Sequence, residues 1–451
     1  MNLVWRSIVK AAAACAQRPL LASLSLLIFF AFGTATAEPP AQDPAVRALA
    51  EAIQQIRSKY VGPLDDRKLA GDAIRGIVQG LDPYSDYLDP QAYAELRQDN
   101  SGRFGGLGLE VGMEAGAARV VSTFEDSPAS RAGLRPGDLI TRLDDTSVAG
   151  LTLEQTIRRA RGAPDTSIVL TVVRSGQAQP LVVTVKRAIV QSHSVKSGLL
   201  GAGYGYVRIS GFNQRTAPSV LAALADLYGQ NDGSLNGLLI DLRDNPGGLL
   251  KSAVAVSSLF LRDQSLVVYT EAAAADSRMR LYTSDAQFAQ LADDKLKQLP
   301  DLKRELKTVP LVLLVNSGSA SAAEILAGAL QDYRRATVAG TQTFGKGSVQ
   351  VLVPLADGAA LKLTTAYYFT PKGTRIQGKG VAPDTLIDAA RLDAASAIKP
   401  ASHSTSPASG RQPVCAASGR LPDALIPAVG EDCQLQRAVE LLRHLPVLAR
   451  S

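Results

Sequence analysis

Residues 311–350 decide the fold, and their sequence is LVLLVNSGSASAAEILAGALQDYRRATVAGTQTFGKGSVQ. The apolar run Leu311–Val315 predicts a buried strand, and a turn of small residues leads from it into a helix that begins at Ser321. The second half predicts a short strand over Ala336–Gly340, after which Lys346 stands between two glycines. Strands that alternate with helices in this way favour an α/β core with a partly parallel sheet.

Two conventional interpretations apply to this segment. Ser321-Ala-Ala-Glu324 has the spacing of a capping box, in which Ser321 only caps the helix and Glu324 bonds back to the helix start. The segment from Gly340 to Lys346 nearly matches a phosphate-binding loop. That motif requires Ser or Thr directly after the lysine, and Gly347 stands there, so a nucleotide site is excluded.

A third interpretation makes Ser321 a nucleophile, which requires a base to take its proton. The chain has three histidines, of which His403 lies in a polar tail and His444 in a terminal helix, and Ser321 has no Gly-x-Ser-x-Gly elbow. Lys346 could serve if it were neutral, for which burial must lower its pKa by about 2 to 3 units from ~10.4. A helix that begins at Ser321 would present free N–H groups to a developing oxyanion.

The segments NSGSASAAEI and TFGKGSVQ together resemble the signature of the carboxy-terminal processing peptidases, also called tail-specific proteases. The resemblance implies that Ser321 is the nucleophile, that Lys346, 25 residues later, is the general base, and that Gln350 orients the lysine. It also implies an α/β multidomain fold: a helical N-terminal arm and a PDZ domain, followed by a peptidase core of the crotonase/ClpP-like type. No cofactor and no metal are expected.

The segment LRDNPGG at residues 242–248 also matches this family. A glycine pair that enters a helix exposes N–H groups, so Gly247 or Gly248 is the expected second oxyanion donor beside the N–H of Ala322. The alternative is an ordinary turn from strand to helix.

Asp332 is a further acid at a position that is typical of the family. Eleven residues of helix separate it from Ser321 by about 16 Å, so it cannot contact the serine. We expect a structural role for it, as an ion pair near Arg334 or Arg335.

Residues 103–188 are predicted to form the PDZ domain, because AGLRPGD at 132–138 is specific for that fold and strands and a helix follow in the matching order. Such domains capture a chain end by strand addition, and the turn Gly106-Leu107-Gly108-Leu109 would bind its carboxylate through backbone N–H groups. The alternative is a degenerate domain that acts only as a lid.

Residues 1–37 have the pattern of a secretory signal, with a basic start, an apolar run over Leu20–Phe32 and the cleavage motif Ala35-Thr36-Ala37. An uncleaved anchor is the alternative. Cleavage would remove three positive charges and no acid, which reduces the net charge from +6 to +3. The basic composition is therefore no argument for a nucleic-acid partner.

The rest of the chain divides into three predicted parts: a helical N-terminal region (38–102), a peptidase core (189–395), and a linker with a terminal helix (396–451). The polar stretch 272–307 is longer than the family leads us to expect, and its role is open. Cys415 and Cys433 are the cysteines left after cleavage, and in an exported chain they suggest one disulfide, with two unpaired thiols as the alternative.

These features predict an exported, periplasmic serine endopeptidase whose PDZ domain selects protein substrates by accessible C-termini. The N-terminal region resembles the helical arm of this family, which often dimerises, and the alternative to a homodimer is a helical cap that packs on its own subunit. An adaptor protein is a further candidate partner. The rival interpretations are a catalytically silent PDZ scaffold or ligand-binding protein on the same fold and an acyl-transfer enzyme of the crotonase type. The rivals leave the pairing of Ser321 with Lys346 unexplained.

Overall fold

A computed structural model of the chain describes residues 43–124, 126–286, 300–388 and 432–446. The chain divides into two compact units, residues 1–69 and residues 70–451. No helix within the described ranges is long and apolar enough to cross a membrane. The predicted signal, the linker 396–413 and Cys415 lie outside the described residues.

Three helices occupy the N-terminal region: α1 (Pro44–Lys59), α2 (Asp66–Gln79) and α3 (Pro90–Ser101). Asp43 caps α1 and Asp89 caps α3, each with a proline at the start of the helix that follows. A short strand, β1 (Asp86–Leu88), lies between α2 and α3. The sequence predicted a helical region here, and β1 is an addition that it did not predict.

The PDZ domain contains an antiparallel sheet of six strands and two helices. Its strands are β3 (Leu109–Glu114), β4 (Ala117–Thr123), β5 (Leu139–Leu143), β6 (Thr146–Ser147), β7 (Ser167–Val173) and β8 (Leu181–Lys186). Its helices are α4 (Pro128–Arg131) and α5 (Leu153–Ala160), and the pair β2 (Arg103–Gly106) and β9 (Ala188–Gln191) closes the domain at its base. Alternate residues of β5 and β7, such as Ile140 and Leu170, are buried and form its core.

The central sheet of the core has the strand order β10-β11-β12-β15-β16-β19. These are β10 (Val195–Leu199), β11 (Tyr204–Ile209), β12 (Gly237–Asp241), β15 (Leu311–Val315), β16 (Thr337–Gly340) and β19 (Thr385–Leu386). Every pairing is parallel except β10 with β11. All residues of β12 and β15 are buried, as expected for strands that are covered on both faces.

Helices cover both faces of this sheet. Three of them, α6 (Thr216–Gln230), α7 (Leu250–Phe260) and α9 (Ala322–Asp332), contribute to the main hydrophobic cluster, and α8 (Pro300–Thr308) adds Leu302 and Leu306. The terminal helix α10 (Cys433–His444) packs Leu435, Ala438 and Leu442 against the opposite face. The chain therefore forms the α/β multidomain fold that the sequence predicts.

A second, antiparallel sheet borders the site. It contains β1, β13 (Leu266–Glu271), β14 (Arg280–Tyr282), β17 (Ser348–Pro354) and β18 (Ala360–Phe369), and β18 is the strand to which β1, β13 and β17 all pair. In the stretch 272–307 the structure describes β14 and α8 at the two ends, and residues 287–299 lie outside the described ranges.

Candidate active site

Ser321 lies in a turn between β15 and α9 with an unusual backbone conformation, φ 53° and ψ −114°. A positive φ is strained for a residue with a side chain, and such strain persists where the surrounding structure imposes it. Here the turn is fixed on both sides, because the N–H of Ala320 donates to the carbonyl of Asn245 (2.9 Å) and Ser319 Oγ donates to that of Leu242 (2.8 Å). The sequence predicted the position of Ser321 but not its strain.

Two backbone segments meet beside Ser321. A Cβ built on Gly247, whose φ is +99°, would lie 2.8 Å from Ser321 Cβ and 2.9 Å from the nitrogen of Ala322, so only glycine fits there. The N–H of Ala322 is at the first position of α9 and has no acceptor within the described residues, as expected at a helix N-terminus. The glycine turn and the helix start thus border the same space.

The structure distinguishes the two glycines. The N–H of Gly247 donates to Asn245 Oδ1 at 2.9 Å and is therefore occupied. Gly248 forms a parallel bridge with Phe212, in which Phe212 bonds to the two neighbours of Gly248, so its own N–H points to the other side of the strand. Of the two, Gly248 is the one whose N–H has no acceptor among the residues that the structure describes.

Glu324 connects Ser321 to Lys346. Its carboxylate is fully buried, and Oε2 accepts both the N–H of Ser321 (2.7 Å) and the N–H of Lys346 (2.9 Å). Oε1 accepts the hydroxyl of Thr343 and the N–H of Gly345, each at 2.6 Å. The two predicted catalytic residues are therefore joined through one carboxylate oxygen, which the capping-box spacing alone did not indicate.

The side chain of Lys346 is half-buried, and its Nζ lies 5.2 Å from the ring centre of Tyr84. Burial lowers the pKa of Lys346, and the positive charge of Lys362 on β18 lowers it further. Among the described residues no carboxylate forms an ion pair with Lys346. The direction of the pKa shift is the one that a lysine base requires.

Gln350 is close to this region but does not bond to Lys346 in this structure. Its Nε2 donates to Ser348 Oγ (2.7 Å) and to Thr364 Oγ1 (3.4 Å). A register shift between Val349 and Gln350 interrupts the pairing of β17 with β18 at this point.

Asp332 is placed as expected, at the end of α9 and remote from Ser321, but the expected ion pair was wrong. Its carboxylate accepts the N–H of Lys372 at 2.8 Å in the turn after β18, and no ion pair of Asp332 is found within the described part of the chain. Arg335 points into the core and donates to the carbonyl of Leu306 at 2.7 Å.

A groove of about 660 Å³ lies between β3 and α5 of the PDZ domain and the start of the core. It contains the predicted carboxylate turn Gly106–Leu109, and the N–H groups of Leu107 and Gly108 have no acceptor within the described part of the chain. His193, packed edge-on against Phe124 at 5.0 Å, lies on the wall of this groove. The floor of this groove is lined by apolar side chains.

A second cavity of about 370 Å³ adjoins this groove. The two cavities share Phe104, Arg161, Ser192, Ser194 and Ser210, and the second one reaches Gly247 and Gly248. The shared wall residues join the PDZ groove to the glycine turn beside Ser321.

Cys433 is disulfide-bonded, and its predicted partner Cys415 lies outside the described residues, so that pairing stays a prediction. Within the described ranges no group of His, Cys, Asp or Glu side chains is arranged to hold a metal ion.

Comparison with known proteins agrees with this fold. Residues 203–387 match the model of peptidase family S41, and residues 120–174 match that of a PDZ domain. The two matches together define a serine-type peptidase that carries a PDZ domain.

Two relatives extend the match over most of the chain. The carboxy-terminal-processing protease of Bartonella bacilliformis is 41% identical over 75% of this chain and 74% of its own length. The carboxy-terminal processing protease CtpB of Bacillus subtilis is 35% identical over 78% of this chain and 70% of its own length. The chain therefore belongs to peptidase family S41, among the carboxy-terminal processing proteases, which confirms the predicted family.

A solved structure, the photosystem II D1 C-terminal processing protease, is 30% identical over 77% of this chain and 88% of that one, with a TM-score of 0.45.

Proposed function

We propose that this chain is an exported endopeptidase in which Ser321 is the nucleophile and neutral Lys346 is the general base. The observation that carries the proposal is the buried Glu324 carboxylate, whose Oε2 accepts the backbone N–H of both residues. The lowered pKa of Lys346 and the strained backbone of Ser321 support it further.

In the proposed reaction, the neutral amine of Lys346 takes the proton of Ser321 Oγ as the oxygen attacks the scissile carbonyl. The N–H groups of Ala322 and Gly248 stabilise the oxyanion, since both are free to donate. The ammonium of Lys346 then protonates the leaving amine. Water releases the acyl group by the same route in reverse, with Lys346 again as base.

Gln350 is proposed to hold the amine nitrogen of Lys346 during this cycle. Its Nε2 donates to Ser348 and Thr364, so its carbonyl oxygen Oε1 would accept an N–H of the Lys346 amine. Gln350→Ala should then reduce kcat more than it raises KM, because the interaction forms only in the active arrangement.

We further propose that the PDZ groove selects substrates by their free carboxylate. The open N–H groups of Leu107 and Gly108 support this, as does the apolar floor of the groove. Arg161 lies on the wall that the two cavities share, where it donates to Asp99 (2.7 Å) and covers the ring of Phe104 (4.4 Å). That position makes Arg161 the candidate coupler between tail binding and the site.

Gly108→Ala tests this selection. A Cβ at Gly108 would lie 2.3 Å from Ser127 Cβ and would displace the carboxylate turn. Gly176→Ala is the matched control, because Gly176 has a similar positive φ in the same domain but no atom within 4 Å of the added Cβ. We expect Gly108→Ala to abolish the preference for a substrate with a free C-terminus over its amide, and the control to keep it.

The same variants distinguish gating from tethering. If tail binding opens the site, Gly108→Ala should also change turnover of a short peptide that has no recognition tail, because the module would no longer shift between two states. If turnover of the short peptide stays as in the wild type, tethering alone remains.

Export through residues 1–37 and a dimer through the N-terminal helices complete the proposal. The exposed Val46, Leu49 and Ile56 along α1 support the dimer. The mass of the N-terminus in the mature protein tests cleavage after Ala37. Sedimentation of a Leu49→Lys variant tests the dimer, which we expect it to dissociate.

A further inference from the structure

The loop from Asp82 to Ser85 contacts the site, although no part of the proposed reaction uses it. Asp82 Oδ1 accepts the N–H groups of Tyr84 (2.8 Å) and Ser85 (3.0 Å), and Oδ2 accepts Ser85 Oγ at 2.6 Å. These bonds fix the backbone on both sides of the Tyr84 side chain.

The loop is also fixed to β18. The N–H of Thr364 donates to Ser85 Oγ (3.0 Å), and Thr364 Oγ1 donates to Asp82 Oδ1 (3.0 Å). Directly after the loop, β1 pairs with Ala360–Lys362 of the same strand. Gln350 Nε2 reaches the same Thr364 hydroxyl at 3.4 Å, so the loop shares a contact with the proposed catalytic group.

Held in this way, the Tyr84 ring lies 5.2 Å from Lys346 Nζ, within the range of a cation–π contact. A ring face attracts the protonated amine and does not attract the neutral one in the same way. The charged groups that face Lys346 are Lys362 on β18, whose charge repels it, and Glu324 on α9, which bonds its backbone N–H. Asp82 is engaged within its own loop.

We propose that Tyr84 is a positioning residue for Lys346, whose ring holds the protonated amine in the resting enzyme and releases it once the amine is neutral. This inference rests on the proposed role of Lys346 as base. It follows that the Tyr84 ring and the burial of Lys346 have opposite effects on the protonation of the amine. Burial favours the neutral base, whereas the ring favours the protonated, inactive form.

The test is the pH profile of kcat/KM for Tyr84→Leu and Tyr84→Phe. Leucine keeps apolar cover over the amine but has no ring, so the apparent pKa should fall by roughly 0.5 to 1 unit, and activity at low pH should rise by roughly 3- to 10-fold. Phenylalanine keeps the ring and should leave the profile unchanged. Tyr93→Leu, which removes the ring under Arg97 on α3, is the control and should also leave it unchanged.

A series of variants that keep the shape of the ring tests the proposal even if the Tyr84→Leu variant misfolds. Phenylalanine with increasing fluorine substitution at position 84 weakens the ring's attraction for a cation while its size hardly changes. The apparent pKa should fall step by step with each fluorine. An unchanged profile across this series would overturn the proposal.

The proposed base is tested separately with Lys346→Arg. An active Lys346→Arg enzyme would refute the proposal that Lys346 is the general base. An inactive Lys346→Arg enzyme, combined with an unshifted pH profile in the fluorinated series, would refute only the proposed role of Tyr84.

Discussion

Replacing Glu324 by glutamine should weaken the link between the Ser321 turn and the Lys346 turn. Glutamine has the same shape, but one end of its amide is a donor and would face two groups that also donate. If the amide nitrogen takes the place of Oε2, the N–H groups of Ser321 and Lys346 both lose their acceptor. Each buried donor left without a partner costs about 1 to 3 kcal/mol.

With the amide nitrogen at Oε2 we therefore expect Glu324→Gln to lower the free energy of unfolding by about 2 to 6 kcal/mol. With the amide nitrogen at Oε1 the cost should be about 1 to 3 kcal/mol, because the Thr343 hydroxyl can turn to accept from it and only the N–H of Gly345 loses its acceptor. In the first orientation activity should fall at least 100-fold at a temperature where the variant is folded, because the turns of Ser321 and Lys346 are no longer joined. Urea denaturation followed by circular dichroism measures the first quantity, and initial rates on a tailed peptide measure the second.

Glu114→Gln is the matched control. Glu114 pairs with Arg119 at the surface, where both side chains are about half exposed, so its loss should change stability by less than about 0.5 kcal/mol. If Glu324→Gln behaved like this control in both assays, the carboxylate would have no part in joining the site.

Three further predictions concern the surroundings of the site. Gly247→Ala should abolish activity, because its Cβ would overlap the nucleophile turn, and titration with a covalent serine inhibitor will show whether active sites remain. Asp432→Asn should cost about 2 kcal/mol at neutral pH, since it removes a carboxylate that Arg243 binds at 2.6 Å. Burial raises the pKa of Asp432, but the bonds from Arg243 outweigh burial and the pKa is lowered. The stability that the Asp432 carboxylate contributes is therefore present above the ordinary aspartate pKa of ~3.9 and is lost as pH falls through the lowered value. Urea denaturation of the wild type and of Asp432→Asn should accordingly give converging stabilities from pH 7 to pH 3. Thiol labelling of the unfolded, unreduced mature protein should find no free thiol at Cys415 or Cys433, and two labelled thiols would refute that pairing.

The sequence was sufficient to predict the secondary-structure elements that hydrophobic periodicity and flanking turn residues define. The strand Leu311–Val315 has the predicted bounds, because an apolar run flanked by turn residues determines it locally. The strand predicted over Ala336–Gly340 begins one residue later, at Thr337. The family assignment also followed from the sequence, since the spacing of a family motif carries it, whereas the roles of Ser321, Lys346 and Gln350 stay predictions.

The contacts that organise the site are between segments far apart in the chain, and no local pattern encodes them. The capping-box spacing predicted that Glu324 bonds to Ser321, but not that the same carboxylate reaches Thr343, Gly345 and Lys346. Tyr84 is separated from Lys346 by most of the chain, and only the packing of its loop on β18 shows the contact.

A buried ionic cluster was missed for the same reason. Arg243 binds Asp241, the last residue of β12, at 2.7 Å and also Asp432, the residue that caps the terminal helix α10. The sequence motif LRDNPGG indicated the glycine turn that is proposed to bind the oxyanion, but it could not indicate that the C-terminal helix is tied to Arg243 of the same motif.

The most direct test of the proposed chemistry is the rate at which a fluorophosphonate labels Ser321, measured by peptide mass against pH. In the wild type we predict one adduct, on Ser321, whose rate of formation rises with pH through an apparent pKa below that of an ordinary lysine. Lys346→Arg should be labelled no faster than Lys346→Ala, because a guanidinium keeps its proton at every working pH. Labelling of Lys346→Arg at the wild-type rate would show that the base is another group.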